Sequence, residues 1–253
     1  MMMQNDNGLN FDIVWHDIVS STNDVCMHAA NEEGTEGVVI AAMYQEQGRG
    51  QRGNAWESNS GLNLTFSILL RPIFLRVEEQ FLISKVVAVS VCDWISAYLE
   101  YKDVAIKWPN DIYIGNSKVA GILIENSFSS SQLNVSVVGI GINLNQVNFT
   151  SDLPNPTSMR LETLKEFDLQ QSLDEFLSCF KGRYLQIQSN NVSAIDEEYM
   201  RRLYRKDIYC TYRSSNDEFK ARIVGVKPTG ELLLMTDDGQ ERSFAFKEIT
   251  FVI

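Results

Sequence analysis

The sequence predicts a mixed α/β domain over residues 1–206, followed by a small all-β domain over residues 207–253. Three observations lead there. Apolar runs of strand length alternate with longer stretches of helical spacing as far as Tyr204. After Lys206 the texture changes to short alternating strands split by Asn-Asp, Thr-Gly and Asp-Gly turns. A chain of 253 residues is also long enough for one large domain and a small one.

In order along the chain, FDIVWH (11–16) has the alternation of a strand. SSTNDVCMHAANEE (20–33) predicts a helix with Ser20 or Ser21 as its N-cap and acids near its start. GVVIAAMYQ (37–45) is a continuous apolar run between turn signals, as in a buried strand. LNLTFSILL (62–70) is another strand, closed by Arg71-Pro72. Residues 77–98 carry Phe81, Val86, Val89, Trp94 and Ile95 at helical spacing and predict a long buried helix. Three short strands follow, VAIKW (104–108), DIYIG (111–115) and KVAGILIEN (118–126), then LNVSVVGIGINLN (133–145). Pro154 and Pro156 mark a break, and helices are expected at 169–187 and 194–204. The roughly fifty residues of alternating texture at the end suit a small barrel or meander.

Composition narrows the function. Apolar content of 44% with 22% charged residues describes an ordinary globular protein. The net charge of −11 repels a phosphate backbone and argues against nucleic acid as the main partner. Residues 1–10 are polar and have no apolar segment of a signal peptide. The longest apolar run, 86–92, is too short to cross a bilayer. Cys26, Cys92, Cys179 and Cys210 are scattered, which suggests reduced packing residues in a cytoplasmic protein. His16 and His28 are the only histidines, too few for a histidine-rich metal site.

The stretch QEQGRGQRGNAWES (45–58) spells G-x-G-x-x-G at Gly48, Gly50 and Gly53. A dinucleotide fold needs a helix opening inside that motif, yet Asn54, Asn59, Ser60 and Gly61 continue a polar loop. It also needs an acid about twenty residues on, and Glu78 and Glu79 sit at the start of the long helix instead. GIGIN (139–143) fails too, because Leu144 stands where the third glycine belongs. Neither stretch ends in the Gly-Lys-Ser/Thr of a phosphate-binding P-loop. A flexible loop with Arg49 and Arg52 beside bare peptide groups can instead fold over a carboxylate or phosphate. KWPNDIYI (107–114) lets Lys107 and Asp111 flank one turn. SKVAGILIEN (117–126) puts Lys118 at the mouth of an apolar strand, where an anion meets little water. Taken singly, the first could be a solvated turn, the second a well-capped turn and the third an edge-strand lysine.

In this order the stretches resemble the biotin–protein ligases, the biotin–[acetyl-CoA-carboxylase] ligase type. GRGQRGNAW is similar to that family's Gly-Arg-Gly-Arg-x-Gly-x-x-Trp loop, KWPNDIYI to its Lys-Trp-Pro-Asn-Asp stretch, and KVAGILIE to its Lys-x-Ala-Gly-Ile-Leu strand. GIGINLN and SSTND resemble its glycine–asparagine strand and its helix start. The likeness is close over about residues 11–145, and the tail ends in the family manner at KEITF. It implies an α+β fold: a mixed, mainly antiparallel sheet flanked by helices, class II synthetase-like, with a small C-terminal SH3-like β-barrel. It implies a two-step reaction as well. The biotin carboxylate attacks the α-phosphate of ATP, giving biotinyl-5'-AMP and pyrophosphate. A lysine of a biotin carboxyl carrier domain then takes the biotinyl group and AMP leaves. About ten residues precede the first strand, so ligase activity without an N-terminal DNA-binding repressor domain is expected.

The resemblance also implies site roles. Ser21, Thr22, Asn23 and Gln45 would hold the biotin head group, with Gly139 and Gly141 letting its rings approach the backbone. Arg49, Gly50, Gln51 and Arg52 would cover the carboxylate and phosphate, with Arg49, Arg52 and Lys118 as the catalytic cations. Trp56, Lys107, Asn110, Asp111 and Asn143 would serve ATP, with Asp111 on Mg²⁺ and Asn143 on adenine. The family most often has arginine at the position of Gln51 and uses it to retain the adenylate; glutamine keeps hydrogen bonds and loses a charge. Relatives are monomers or dimers. The alternatives are a lipoate or octanoyl ligase or transferase of the same superfamily, whose Arg-Arg…Gly-Gly-Gly…His-Asp pattern is lacking here, and a non-catalytic biotin sensor.

Overall fold

The computed structural model describes residues 8–32, 35–100, 103–150, 155–215 and 217–252, with the side chain of Arg52 outside that set. Strands β1 (Asp12–Val19), β2 (Val38–Gln45), β3 (Leu64–Leu70), β4 (Val104–Lys107), β5 (Asp111–Ile114), β6 (Ser117–Ser129) and β7 (Gln132–Ile142) form one sheet. Its order is β1-β2-β3-β7-β6-β5-β4. Only β1 and β2 run parallel; every other pairing is antiparallel. The fold is therefore the mixed, mainly antiparallel α+β arrangement that the resemblance implies.

Side-chain alternation gives the sheet two different faces. Val39, Ala41, Phe66, Ile68, Leu70, Val138 and Ile140 belong to the main core. Their neighbours Ile40, Leu69, Val135 and Val137 pack with Cys26 and Ala30 of α1 (Thr22–Asn31) on the opposite face. The core face is covered by α2 (Phe81–Ser96), α4 (Leu169–Gln188) and α5 (Val192–Arg201). Helix α2 has thirteen buried residues among its sixteen, so it is apolar on all sides and enclosed between sheet and helices. Its buried Lys85 is neutralised by Asp196 at 2.7 Å. On the opposite face α1 covers only part of the sheet, and the uncovered part becomes the pocket floor.

Several elements differ from expectation. The long helix over 77–98 is a 3₁₀ turn at Val77–Glu79 and then α2. Helix α5 ends at Arg201 instead of Tyr204, because Ile106 of β4 pairs with the chain there: its N–H donates to the Arg202 carbonyl at 2.8 Å and its carbonyl accepts from the Tyr204 N–H at 2.9 Å. The short helix α3 (Met159–Thr163), capped by the Ser158 hydroxyl on the Leu161 N–H, is too brief to show a period. Pro154 lies outside the described residues.

Strands β8 (Cys210–Ser214), β9 (Glu218–Val226), β10 (Leu232–Thr236), β11 (Glu241–Phe244) and β12 (Ile249–Phe251) make a second, antiparallel sheet in the order β11-β10-β9-β8-β12. The last strand thus returns beside the first, as a small barrel requires. The Trp108 indole N–H donates to the Gly230 carbonyl at 2.9 Å, and Phe246 lies 5.2 Å from Trp108 and 5.9 Å from Phe81 between ring centroids. This aromatic joint ties the second sheet to the β4–β5 turn.

Gly230 has φ +99°, and a Cβ there would sit 2.7 Å from Phe81 Cδ2. Gly230→Ala is expected to lower stability by about 1–3 kcal/mol, the scale of a side chain held in that backbone region. Urea unfolding of the two proteins measures it.

Candidate active site

The pocket begins with missing side chains. Register places Thr65, Gly141, Gly121 and Asp111 in one row across β3, β7, β6 and β5, and Ser67, Gly139 and Leu123 in the next row. These residues alternate with the core-facing set and lie on the α1 face. Three glycines therefore open a trough in the sheet surface. Its cavity volume is about 600 Å³.

Two side chains fill part of that trough, and the glycines admit them. A Cβ on Gly139 would lie 2.1 Å from Asn23 Oδ1, and one on Gly141 would lie 2.3 Å from Trp56 Cε2. In the structure Gly139 and Gly141 thus give room to Asn23 and to the Trp56 indole. The indole Nε1 is buried and has no hydrogen-bond partner. A buried N–H with no acceptor is costly, so it marks a place where a ligand atom or water would be favoured.

At one end of the trough lies the start of α1. Ser21, Thr22 and Asn23 are all buried polar residues. Ser21 is the N-cap as expected, but its hydroxyl caps nothing; the Gln45 side-chain oxygen accepts from the Thr22 N–H at 2.8 Å instead. Ser67 Oγ lies 2.8 Å from Thr22 Oγ1 and 2.6 Å from Asn23 Oδ1. Asn23 donates to Glu125 Oε2 at 2.8 Å. Such a cluster of fixed donors and acceptors suits a compact, neutral, polar head group.

The glycine–arginine loop forms the lid. Arg49 and Ala55 make an antiparallel bridge, Gly50 N–H donates to the Asn54 carbonyl at 2.7 Å, and Trp56 N–H donates to the Gly48 carbonyl at 2.8 Å. The Arg49 guanidinium touches Asp24 and Glu125, each at 2.7 Å. Glu125 therefore holds both the lid arginine and the helix-start asparagine. Arg49 and Gln51 line the pocket, whereas the side chain of Arg52, an expected catalytic cation, lies outside the described residues.

At the other end Lys107 and Asp111 are partners across the β4–β5 turn, flanking one turn as anticipated, and the Trp108–Pro109 peptide is cis. Lys118 meets Asp111 at 2.6 Å and lies 5.6 Å from the Trp56 ring centroid. Strand β6 runs between β5 and β7, so Lys118 is not an edge-strand residue. Lys107 donates to the Tyr113 hydroxyl at 2.9 Å. Burial depresses its ammonium below the usual lysine value; Asp111 opposes this, and Lys118 and Arg205 add to it. Asn110 lines the pocket, but its amide already donates to the Ile122 carbonyl at 2.8 Å.

Asn143 is the exception. It is buried, its amide donates to the Thr157 carbonyl at 2.9 Å, and it is absent from the pocket wall. That bond pins the 155–158 segment beside β6. Sequence reasoning also missed several contributors. Ser67, polar like Thr65 in a strand whose other residues are apolar, and Gly121 and Glu125, at period two along β6, were readable signals. Phe246, between β11 and β12, and Ile249, Thr250 and Phe251 of β12 line the pocket too, and no local signal points to them.

The chain resembles known proteins over most of its length. The model of the biotin/lipoate A/B protein ligase family matches residues 15–143. The bifunctional ligase/repressor BirA of Bacillus subtilis is 29% identical over 237 residues, covering 92% of this chain and 72% of that protein. The biotin–[acetyl-CoA-carboxylase] ligase of Paracoccus denitrificans is 29% identical over 207 residues, covering 80% of this chain and 85% of its own length. Among solved structures, a biotin protein ligase from Aquifex aeolicus in complex with biotin and ATP has the same fold, with a TM-score of 0.78 at 24% identity over 94% of this chain and 97% of that one.

The lid should loosen when its carboxylate anchor is removed. Arg49 is 40% exposed, so the pair with Glu125 is worth roughly 0.2–1 kcal/mol after solvent screening. Glu125→Ala is expected to raise amide exchange at Gly50 and Trp56 by up to about fivefold, read by hydrogen–deuterium exchange.

Proposed function

This chain belongs to the biotin/lipoate A/B protein ligase family, and from that premise we propose that it is an ATP-dependent biotin–protein ligase acting through biotinyl-5'-AMP. The observation that carries the reading is convergence. Arg49, the Lys107–Asp111 turn and Lys118 come from separate segments and line the same pocket as the buried Ser21–Thr22–Asn23 cluster. One end suits the uncharged ureido ring of biotin and the other suits anions.

The residues divide the work. Ser21, Thr22, Asn23 and Gln45 hold the ureido group, and the ring system lies along the glycine trough. The carboxylate then points toward Lys118. A carboxylate oxygen attacks the α-phosphorus, the bond to the bridging oxygen breaks, and pyrophosphate leaves. Arg49 and Lys118 neutralise charge on the reacting oxygens, and Lys107 faces the phosphates. Arg49 exchanges its pairs with Asp24 and Glu125 for the new anion, which draws the lid inward and keeps water from the mixed anhydride. Gln51 completes that lid, and Arg52 is a further cation for the same anion. Trp56 gives up its place over Gly141 to pack against the nucleotide.

Mg²⁺ fits this donor set in one way. Among the described residues no three metal-ligating side chains cluster, so Asp111 with the phosphate oxygens would hold the ion, as such sites commonly do. When bound, it supplies further neutralisation of the phosphate charge. Residues 1–206 serve as the ligase domain and 207–253 as a small second domain. The acceptor is the biotinyl domain of a carboxylase, and the protein works as a monomer or homodimer. All four cysteines are free, and no described helix is long and apolar enough to cross a membrane; a cytoplasmic setting accords with both.

The direct experiment is mass spectrometry of the purified protein given biotin, Mg-ATP and a carrier domain. The carrier should gain one biotinyl group. ATP–pyrophosphate exchange supported by lipoate and not by biotin would move the assignment to the sister enzymes.

Lys118→Ala should lower biotin-dependent ATP–pyrophosphate exchange by about 10²–10³-fold, the scale of one positioned electrostatic donor; an undiminished rate contradicts the role given to Lys118. The depressed Lys107 adds a pH effect. A lowered pKa means the positive charge is lost, as pH rises, before the usual lysine value of 10.5 is reached. KM for ATP should therefore climb on the alkaline side below that value. Lys107→Arg, which stays charged, should flatten the climb in a KM–pH profile.

A further inference from the structure

Ser67 is fully buried on β3 and does not line the pocket. Its hydroxyl nevertheless meets two side chains that do, Thr22 Oγ1 at 2.8 Å and Asn23 Oδ1 at 2.6 Å. Thr65, two residues earlier on the same face, donates its hydroxyl proton to the Ala42 carbonyl at 3.0 Å. Ser67 is thus the hydroxyl of β3 that faces the start of α1.

The direction of each bond in this cluster follows from groups that can act in one way only. The Glu125 carboxylate and the Leu123 carbonyl can only accept. The Asn23 nitrogen therefore faces them, at 2.8 and 3.4 Å, and its oxygen faces Ser67. That oxygen can only accept, so the Ser67 proton goes to it. Ser67 Oγ is then an acceptor toward Thr22. The Thr22 N–H can only donate, so the Gln45 oxygen faces it at 2.8 Å and the Gln45 nitrogen turns the other way. The Thr22 hydroxyl proton goes to Ser67 Oγ at 2.8 Å, because the Gln45 oxygen is farther off at 3.2 Å and already holds that N–H.

What remains for a ligand is a fixed pattern. Thr22 and Asn23 each keep an unused lone pair and no free side-chain proton. Asn23 Oδ1 sits on the trough floor, where a Cβ on Gly139 would be 2.1 Å from it. Gln45, which also lines the pocket, offers its amide N–H groups. Two acceptors beside a donor match a group with two N–H donors beside one carbonyl. We infer that Ser67 is a positioning residue for head-group recognition: its buried hydroxyl holds Thr22 and Asn23 as acceptors toward the pocket, and so selects a cyclic urea over rings that lack an N–H. The inference rests on the ligase reading above and adds a physical basis for its specificity. The reacting end is not involved, since Lys118 and Asp111 meet at the far end of the trough.

Substitution at 67 tests this. Ser67→Ala should raise KM for biotin in ATP–pyrophosphate exchange about tenfold with kcat within about twofold, because the orphaned partners weaken binding away from the reacting end. Ser67→Thr keeps the hydroxyl and should stay within about threefold, while Ser67→Cys, a weaker donor of similar shape, should fall between them. A second measurement separates bond direction from packing. Two cyclic carbamate analogues each replace one ureido N–H of biotin with oxygen, and calorimetry gives their Kd. Both should bind the unsubstituted protein at least about tenfold more weakly than biotin, since an acceptor then faces a ring oxygen. In Ser67→Ala that penalty should shrink at least about threefold for one analogue, because the Thr22 proton is free to turn toward its ring oxygen. Unchanged KM for biotin in Ser67→Ala overturns the inference, and so does an unchanged penalty for both analogues. If the unsubstituted protein binds biotin without supporting exchange, it is the ligase reading that fails, and the carbamate penalties still decide the role of Ser67.

Discussion

The site depends on close approach to bare backbone. Gly121, Gly139 and Gly141 sit in two adjacent rows of β6 and β7 and leave that part of the α1 face of the sheet without side chains of their own. Any larger residue at 139 or 141 would occupy space now held by Asn23 or Trp56. Because the opposite face of the same strands packs into the main core, the floor is rigid. Precision at the pocket is thus inherited from core packing on the far side of one sheet, and the loops need only close over it.

Charge is the second constraint. The chain carries a net −11, yet it has to gather the anionic ends of two substrates. It does so with local cations, each already matched by carboxylate or by a neutral acceptor: Arg49 by Asp24 and Glu125, Lys118 by Asp111, Lys107 by the Tyr113 hydroxyl. Under the proposed function an arriving anion exchanges partners with these pairs, so that binding is a switch of hydrogen-bond partners and the lid follows the partner Arg49 holds. Glu125 sits at the centre of that switch because it also accepts from Asn23. Occupancy of the head-group end and closure at the anionic end share one carboxylate.

The small second sheet belongs to the same logic. Its attachment runs through Trp108, Phe246 and Phe81, all beside the β4–β5 turn that presents Lys107, Asn110 and Asp111. A rigid aromatic joint fixes that turn from behind while adding a wall to the pocket.

Much of this was legible in the residue order. Periodicity identified nearly every strand and helix of the first 145 residues, because a sheet with two buried faces and an apolar helix such as α2 write their environments into local pattern. The motifs at Arg49, Lys107–Asp111, Lys118 and Gly139–Gly141 marked the segments that meet in one pocket, since each needs an unusual residue type at a fixed spacing. Tertiary structure alone decided the rest. It tied Asn143 to Thr157, gave Arg49 its two carboxylate partners, let Gln45 cap α1 in place of Ser21, and brought Phe246 and Phe251 to a cavity whose other walls are more than a hundred residues away. Local pattern records whether a position is buried and which way its strand faces; it holds no record of which distant side chain shares that space, because such contacts are set by how the layers pack.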